Sequence, residues 1–124
     1  MQILTPMAEA LNRYLDLSSQ ELKLTAQNMA NVDTPGYRTV GFDFAGEMSR
    51  SLDGLRGTAG APAADAPVHP VRIDGLLERP DGNNVSMDRE GMKMAEAQLQ
   101  FQTGVELLKH AFSRVENAIR MDEK

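Results

Sequence analysis

Between residues 28 and 37 the chain reads NMANVDTPGY, and there the sequence predicts a change from a long helix to an irregular segment. Asn31 belongs to a residue type that tolerates the left-handed backbone conformation with which many helices end. Pro35 then prevents the helix from resuming. Because Pro35 and Gly36 occupy the central positions of a type II turn, we predict a helix stop followed by a sharp bend.

The stretch before this bend has the pattern of one long helix. Thr5 is a suitable cap and Pro6 a suitable first residue. Apolar and small residues then alternate at spacings of four and three, which is the 3.5-residue period of a coiled coil. These positions are Leu4, Ala8, Leu11, Leu15, Ser18, Leu22, Thr25 and Met29.

Composition excludes several classes of protein. The 124 residues suffice for one domain, whose core should be thin because the chain has only four Phe, two Tyr and no Trp. A net charge of −5 argues against nucleic-acid binding. The absence of Cys excludes disulfides and thiolate metal sites. We see no apolar run of about 18 residues that would span a membrane, and Met1 to Pro6 lack the features of a cleavable signal peptide.

The middle of the chain gives weaker signals. Residues 40–44 alternate as in a strand, whereas Asp43 is placed to cap a short helix carrying Phe44 and Met48, so one element must give way to the other. Residues 53–70 are rich in Gly, Ala and Pro, and we expect a mobile loop in the free chain. His69 lies there without further metal-ligand residues at a suitable spacing.

A hairpin is expected after this loop. Val71 and Ile73 suit a short strand, and Asp81-Gly82 is a strong turn signal. Residues 85–87 would then pair back across the turn.

A second long helix is predicted from an Asp88 cap to about Met121. Gly104 within it suggests the close approach of another backbone, and a neutral position is the alternative. Its heptad positions are Met87, Gly91, Met94, Gln98, Phe101, Val105, Leu108, Phe112, Val115 and Ile119.

These patterns predict a mainly α fold. Its long N- and C-terminal helices would pack as an antiparallel, coiled-coil-like hairpin around a small irregular middle with short β elements. The expected boundaries are 1–31 for the first helix, 32–87 for the turn and middle segment, and 88–124 for the second helix, which together make one discontinuous domain.

The string that follows the first helix resembles the signature of the bacterial flagellar rod and hook proteins. A second stretch, DGNNVSMDRE at residues 81–90, is similar to the C-terminal region of the proximal rod members of that family. The middle of the chain is not diagnostic. The signature residues are Asn28, Ala30, Asn31, Asp33, Thr34, Pro35, Gly36 and Tyr37.

The resemblance implies a structural subunit of the basal-body rod that polymerises into a torque-transmitting tube around an export channel. Its partners would be copies of itself, other rod subunits, the rod adaptor, the membrane ring and the flagellar type III export apparatus. Export would need no cleaved signal. Phe44 and Met48 match the motif that such subunits present to the export gate, although packing against the long helices produces the same spacing. The expected packing residues are Leu11, Leu15, Leu22, Met29, Phe101, Leu108, Phe112, Val115 and Ile119.

The alternative is a soluble coiled-coil adaptor or type III secretion chaperone, whose heptad positions would be satisfied within a closed oligomer. An enzyme is not expected, because His110 lies beside apolar residues with no Ser, Cys or paired carboxylate nearby. We predict no catalytic residue, no metal and no cofactor.

Overall fold

The computed structural model describes residues 4–122, and within them two long helices dominate. The mainly α fold is therefore confirmed, as are short β elements in the middle segment. In chain order the elements are α1 (Leu4–Ala30), β1 (Val40–Gly41), α2 (Phe44–Leu55), β2 (Val71–Arg72) and α3 (Met87–Asp122).

The helices α1 and α3 pack as an antiparallel hairpin. Near one end, the Asn28 side-chain amide donates to Glu90 Oε2 at 3.0 Å. Farther along, a Cβ placed on Gly104 would lie 2.7 Å from Leu15 Cδ2 and 3.0 Å from Tyr14 Cδ1. Gly104 is thus closely approached, but the nearest atoms belong to side chains of α1 and not to another backbone as predicted.

The buried seam of α3 differs from the predicted one. The buried residues of α3 are Glu90, Ala97, Gly104 and Ala111, which recur every seven residues. Each of them lies one residue before a predicted heptad position. Those positions are Gly91, Gln98, Val105 and Phe112. The assignment favoured larger side chains such as Phe112, whereas small residues allow two helices to approach more closely. The fully buried line of α3 is therefore shifted by one residue from the predicted seam, and the predicted positions that are partly buried are Gly91, Met94, Val105, Leu108 and Val115.

The end of α1 is also built differently from the prediction. Among the described residues no non-glycine residue has a positive φ, so Asn31 does not close the helix in a left-handed conformation. The Val32 amide instead donates to Met29 O at 3.3 Å, which tightens the last turn. The predicted bend is confirmed, since Gly36 has φ +73° and the Tyr37 amide donates to Thr34 O.

Both long helices begin earlier than predicted. The helix α1 already contains Thr5, which we had expected to precede it as the cap. At the start of α3, the Ser86 hydroxyl accepts a hydrogen bond from the Arg89 amide at 3.4 Å, so Ser86 rather than Asp88 has the capping position.

In the middle segment, strand and helix coexist because β1 stops at Gly41. The predicted Asp43 cap is confirmed by its acceptance of the Gly46 amide at 3.1 Å. The predicted hairpin partner is wrong, because β2 pairs antiparallel with β1, with Val40 opposite Arg72, and not with residues 85–87. There the Val85 amide donates to Asn83 Oδ1, and Met87 is already helical.

Residues 56–70, which are neither helix nor strand, fold back onto the helices. The buried Arg13 donates to Ala66 O at 2.7 Å and to Ser51 Oγ at 2.9 Å. Gly54 lies so close to this segment that an added Cβ would be 2.5 Å from Pro62 O. The segment that we expected to be a mobile loop therefore has two anchoring points on α1 and α2.

Candidate functional site

The end of α1, the bend and the start of α3 meet in a buried polar cluster, which we call the joint. It consists of Asn28, Tyr37, Asn83, Asn84 and Glu90. Asn28 is only 2% exposed. Its Nδ2 donates to Val40 O at 2.8 Å and to Glu90 Oε2, while its Oδ1 accepts from the Val40 amide and from the Tyr37 hydroxyl. One side chain therefore ties α1 to the bend, to β1 and to α3.

Asn83 connects the joint to the end of α1. Its Nδ2 donates to Asn31 O at 2.9 Å and to Thr34 O at 2.8 Å. Each of these carbonyls also accepts a backbone amide, Asn31 O from Thr34 and Thr34 O from Tyr37, so the Asn83 amide adds a second donor to both and holds the bend against the end of α1. The adjacent Asn84 accepts the Thr39 amide at 2.7 Å and donates to Ile73 O, which links the two short strands to the start of α3.

The bend itself lies against the second turn. The Gly36 amide donates to Asp81 O at 2.9 Å. Gly82 packs against Gly36 so closely that a Cβ added to Gly82 would lie 3.4 Å from the Cα of Gly36. The Arg79 guanidinium also donates to Val32 O. The two stretches that carried the family resemblance, 28–37 and 81–90, are thus one structural unit. Of the remaining signature residues, Ala30, Asp33 and Pro35 are exposed.

Glu90 gives the joint a buried carboxylate. It is 1% exposed, and its Oε1 has no hydrogen-bond partner among the described residues. Burial raises the pKa of Tyr37, a hydrogen bond with Gln27 opposes this shift, and the charge of Glu90 adds to it. Burial likewise raises the pKa of Glu21. The charge of Lys93 lowers this pKa, whereas the charges of Glu96 and Glu90 raise it further.

The expected packing residues lie along the hairpin with unequal exposure. Leu11, Leu15, Leu22 and Met29 on α1 are partly buried, as are Leu108 and Val115 on α3. By contrast, Phe101, Phe112 and Ile119 are 38%, 63% and 56% exposed. The chain by itself therefore leaves three of the nine side chains exposed, and two of them, Phe112 and Ile119, by more than half.

The residues of the expected export-gate motif take part in packing between helices. Phe44 meets the Tyr14 ring edge-on, with ring centroids 5.5 Å apart. Met48 borders an apolar cavity of about 330 Å³, which we call the groove. Its lining comprises Met7, Ala10, Leu11, Tyr14, Met48, Thr103 and Leu107.

Within residues 4–122, no three His, Cys, Asp or Glu side chains are grouped so that they would hold a metal ion. None of the helices in the same part of the chain has the length and apolarity needed to cross a membrane.

Sequence reasoning missed three residues of the joint and, outside it, the buried Arg13. Asn83 and Asn84 follow the Asp81-Gly82 turn, and consecutive amides at that place signal local capping of backbone groups. Glu90 is not among the predicted heptad positions, although it begins the seven-residue series that continues with Ala97 and Gly104. For Arg13 the pattern carries no signal, because its partners lie 38 and 53 residues away.

Comparison with known proteins gives a consistent set of relatives. The chain is 33% identical over 108 residues to the flagellar basal body rod protein FlgB of Salmonella typhimurium, covering 76% of this chain and 78% of that protein. It is 35% identical over 105 residues to FlgB of Cereibacter sphaeroides, with 78% and 80% covered. FlgB of Escherichia coli is 29% identical over 121 residues, with 86% and 87% covered. No model of a known protein family matches the sequence.

Proposed function

Because the chain belongs to the FlgB family of flagellar basal body rod proteins, we propose that it is a structural subunit of the rod, in its proximal part. Copies would pack side by side into a helical tube that transmits torque and encloses an export channel. Dense lateral packing is what such a role requires, and a catalytic pocket is not.

The exposed apolar surface of α3 is the observation that supports this proposal most. Its seam with α1 is made of small and polar residues, so the hairpin buries few large side chains. Exposed apolar groups of this size on a soluble chain usually mark a contact with another protein. Five large apolar residues of α3 are more than half exposed: Met92, Leu99, Phe112, Ile119 and Met121.

The remaining partners follow from the family. We propose contacts with other rod subunits, with the rod adaptor and membrane ring at the base, and with the type III export apparatus during secretion. The location would be the basal body, in its periplasmic rod. The bend would set the angle at which the middle segment leaves the helix, through Asn31, Pro35, Gly36 and Tyr37.

Fractionation of cells tests this function. The unmodified chain should be recovered in isolated basal bodies, and Leu108→Asp should remove it from them and abolish swimming, because a charge would enter the hairpin seam. His110→Asp, at an exposed site two residues away, is the control and should retain both. Recovery of the unmodified chain only as a stable cytoplasmic dimer would instead support the adaptor or chaperone alternative.

A further inference from the structure

Two apolar surfaces occur at the same end of the hairpin. One is the groove, with Met48 of α2 and Leu107 of α3 in its wall. The other, which we call the ridge, consists of Phe101, Phe112 and Ile119 on α3. The same stretch of α3 therefore contributes both to an apolar depression and to apolar projections.

The groove and the ridge lie on opposite faces of the hairpin. Successive helical residues are about 100° apart around the helix axis. Measured from Gly104, which faces α1, Leu107 lies about 60° to one side and Phe112 about 80° to the other. Since Leu107 borders the groove together with α2, Phe112 is on the face away from α2.

The helix α1 has the same division. Arg13 donates to Ser51 of α2, which identifies the side of α1 that α2 covers. Measured from the buried Ser18, Arg13 lies about 140° to that side, whereas Leu15 lies about 60° to the other. Leu15 therefore extends the ridge face across the hairpin.

We propose that the ridge of one copy docks into the groove of the next copy, so that the contact is heterologous. This inference rests on the proposed function and specifies the surfaces through which copies meet. The groove, at about 330 Å³, has room for about eleven water molecules of roughly 30 Å³ each. Phe112 and Ile119 would displace this water from an apolar lining, which is favourable.

The available area and symmetry favour a second copy as the occupant. A stable interface buries about 800 Å² on each partner, and a single large aromatic side chain supplies roughly 150–250 Å² when fully buried. Phe112 and Ile119, more than half exposed, supply only part of this area, so contacts along the length of two hairpins are needed. A two-fold contact between ridges would leave both grooves open, whereas a heterologous contact covers both surfaces and continues from copy to copy.

Cysteine cross-linking tests the pairing directly, because the chain contains no cysteine of its own. We would produce Phe112→Cys, Leu107→Cys and the double variant in cells that lack the unmodified chain, then oxidise isolated basal bodies. The double variant should give a ladder of dimers and larger disulfide-linked species. Each single variant should give no dimer, whereas cells that produce both single variants should give a mixed dimer.

The control replaces the ridge residue with an exposed position on a third side of α3. Around the helix axis, Glu106 lies about 160° from Gly104 in the direction opposite to Phe112, and its side chain is 63% exposed. The double variant Glu106→Cys with Leu107→Cys should therefore give no ladder. Dimers from Phe112→Cys alone, or a double variant that enters basal bodies without a ladder, would overturn the heterologous pairing and leave the rod function intact. Absence of the unmodified chain from basal bodies would overturn both.

Discussion

Asn28 shows how single polar side chains determine the geometry of this protein. The described residues bury nine polar or charged side chains, including Arg13, Asn28 and Glu90, but only four apolar ones. Buried hydrogen-bonded groups add little net stability, yet losing one partner leaves another buried group unsatisfied. Because each buried polar group of the joint depends on its partners, few other arrangements satisfy all of them. The joint therefore fixes the angle of the bend.

Replacement of Asn28 tests this view of the joint. Asn28→Ala would remove four hydrogen bonds and leave the Glu90 carboxylate without its amide donor. We expect the free energy of unfolding, measured by urea denaturation, to fall by about 2–4 kcal/mol. The matched control is Asn31→Ala, whose side chain makes exposed local bonds and should cost less than about 1 kcal/mol. If Asn28→Ala and Asn31→Ala lowered the free energy of unfolding equally, the joint would contribute no more to stability than an exposed local hydrogen bond.

The raised pKa of Glu21 predicts a pH dependence of stability. A carboxyl group whose pKa is higher in the folded chain favours folding below its unfolded pKa, 4.5 for Glu21, and this contribution is lost as pH rises through the folded pKa. Compared with the unmodified chain, Glu21→Gln should therefore raise the free energy of unfolding more at pH 7 than at about pH 4. We expect less than about 1 kcal/mol, because the carboxylate remains close to Lys93 and partly in contact with water.

Urea midpoints at the two pH values measure this effect. Lys93→Met is the paired variant, because it removes the cation that lowers the pKa of Glu21 and should destabilise the chain more at pH 7 than at pH 4. If Glu21→Gln and Lys93→Met shifted the urea midpoint at pH 7 in the same direction, the burial of Glu21 and the charge of Lys93 would not explain the pH dependence of stability.

At the scale of elements, the close contact of α1 and α3 depends on a series of small residues. Ala97 is fully buried, and Gly104 and Ala111 follow at intervals of seven. Glycine within a helix is unfavourable by about 1 kcal/mol relative to alanine, so its presence in the seam needs a compensating contact. The approach of Tyr14 and Leu15 to Gly104 supplies that contact.

The two glycines of α3 form a matched pair for testing this contact. Gly91 has nothing within 4 Å of an added Cβ, so Gly91→Ala should stabilise the chain by about 0.5–1 kcal/mol. Gly104→Val should instead destabilise it by about 1–3 kcal/mol, because the branched side chain would push against Leu15 and Tyr14. Thermal or urea unfolding gives both values, and a stabilising Gly104→Val would refute the close approach.

Local signals predicted the elements better than they predicted contacts between elements. The Asp43 cap and the turn at Gly36 were correct because each depends on residues within four positions. The predicted partner of β2 was wrong, since β2 pairs with the distant strand β1, and Asn84 bonds to residues beside both strands from a third segment. Hydrophobic spacing identified two helices but could not distinguish a seam of small residues from a neighbouring stripe of large ones.

At the scale of the whole molecule, α3 is longer than its partner. The contacts of Asn28 with Glu90 and of Leu15 with Gly104 define an antiparallel register that brings Leu4 opposite Arg114 or Val115. Residues 116–122 extend beyond the described part of α1 by roughly 10 Å, at 1.5 Å per residue. All seven are exposed, including Ile119 and Met121. A helical end with no buried side chain has little tertiary packing to hold it.

We therefore predict that this end of α3 becomes fully ordered only on assembly. In dilute free chain, amides of residues 116–122 should exchange with deuterium far faster than those of residues 97–111, because local opening there disrupts no buried contact. In isolated basal bodies the same amides should become protected, since neighbouring copies would cover Ile119. Residues 97–111 are the internal control and should be protected in both samples. Uniform protection of α3 in the free chain, measured by mass spectrometry, would mean that the hairpin needs no neighbour to hold its end.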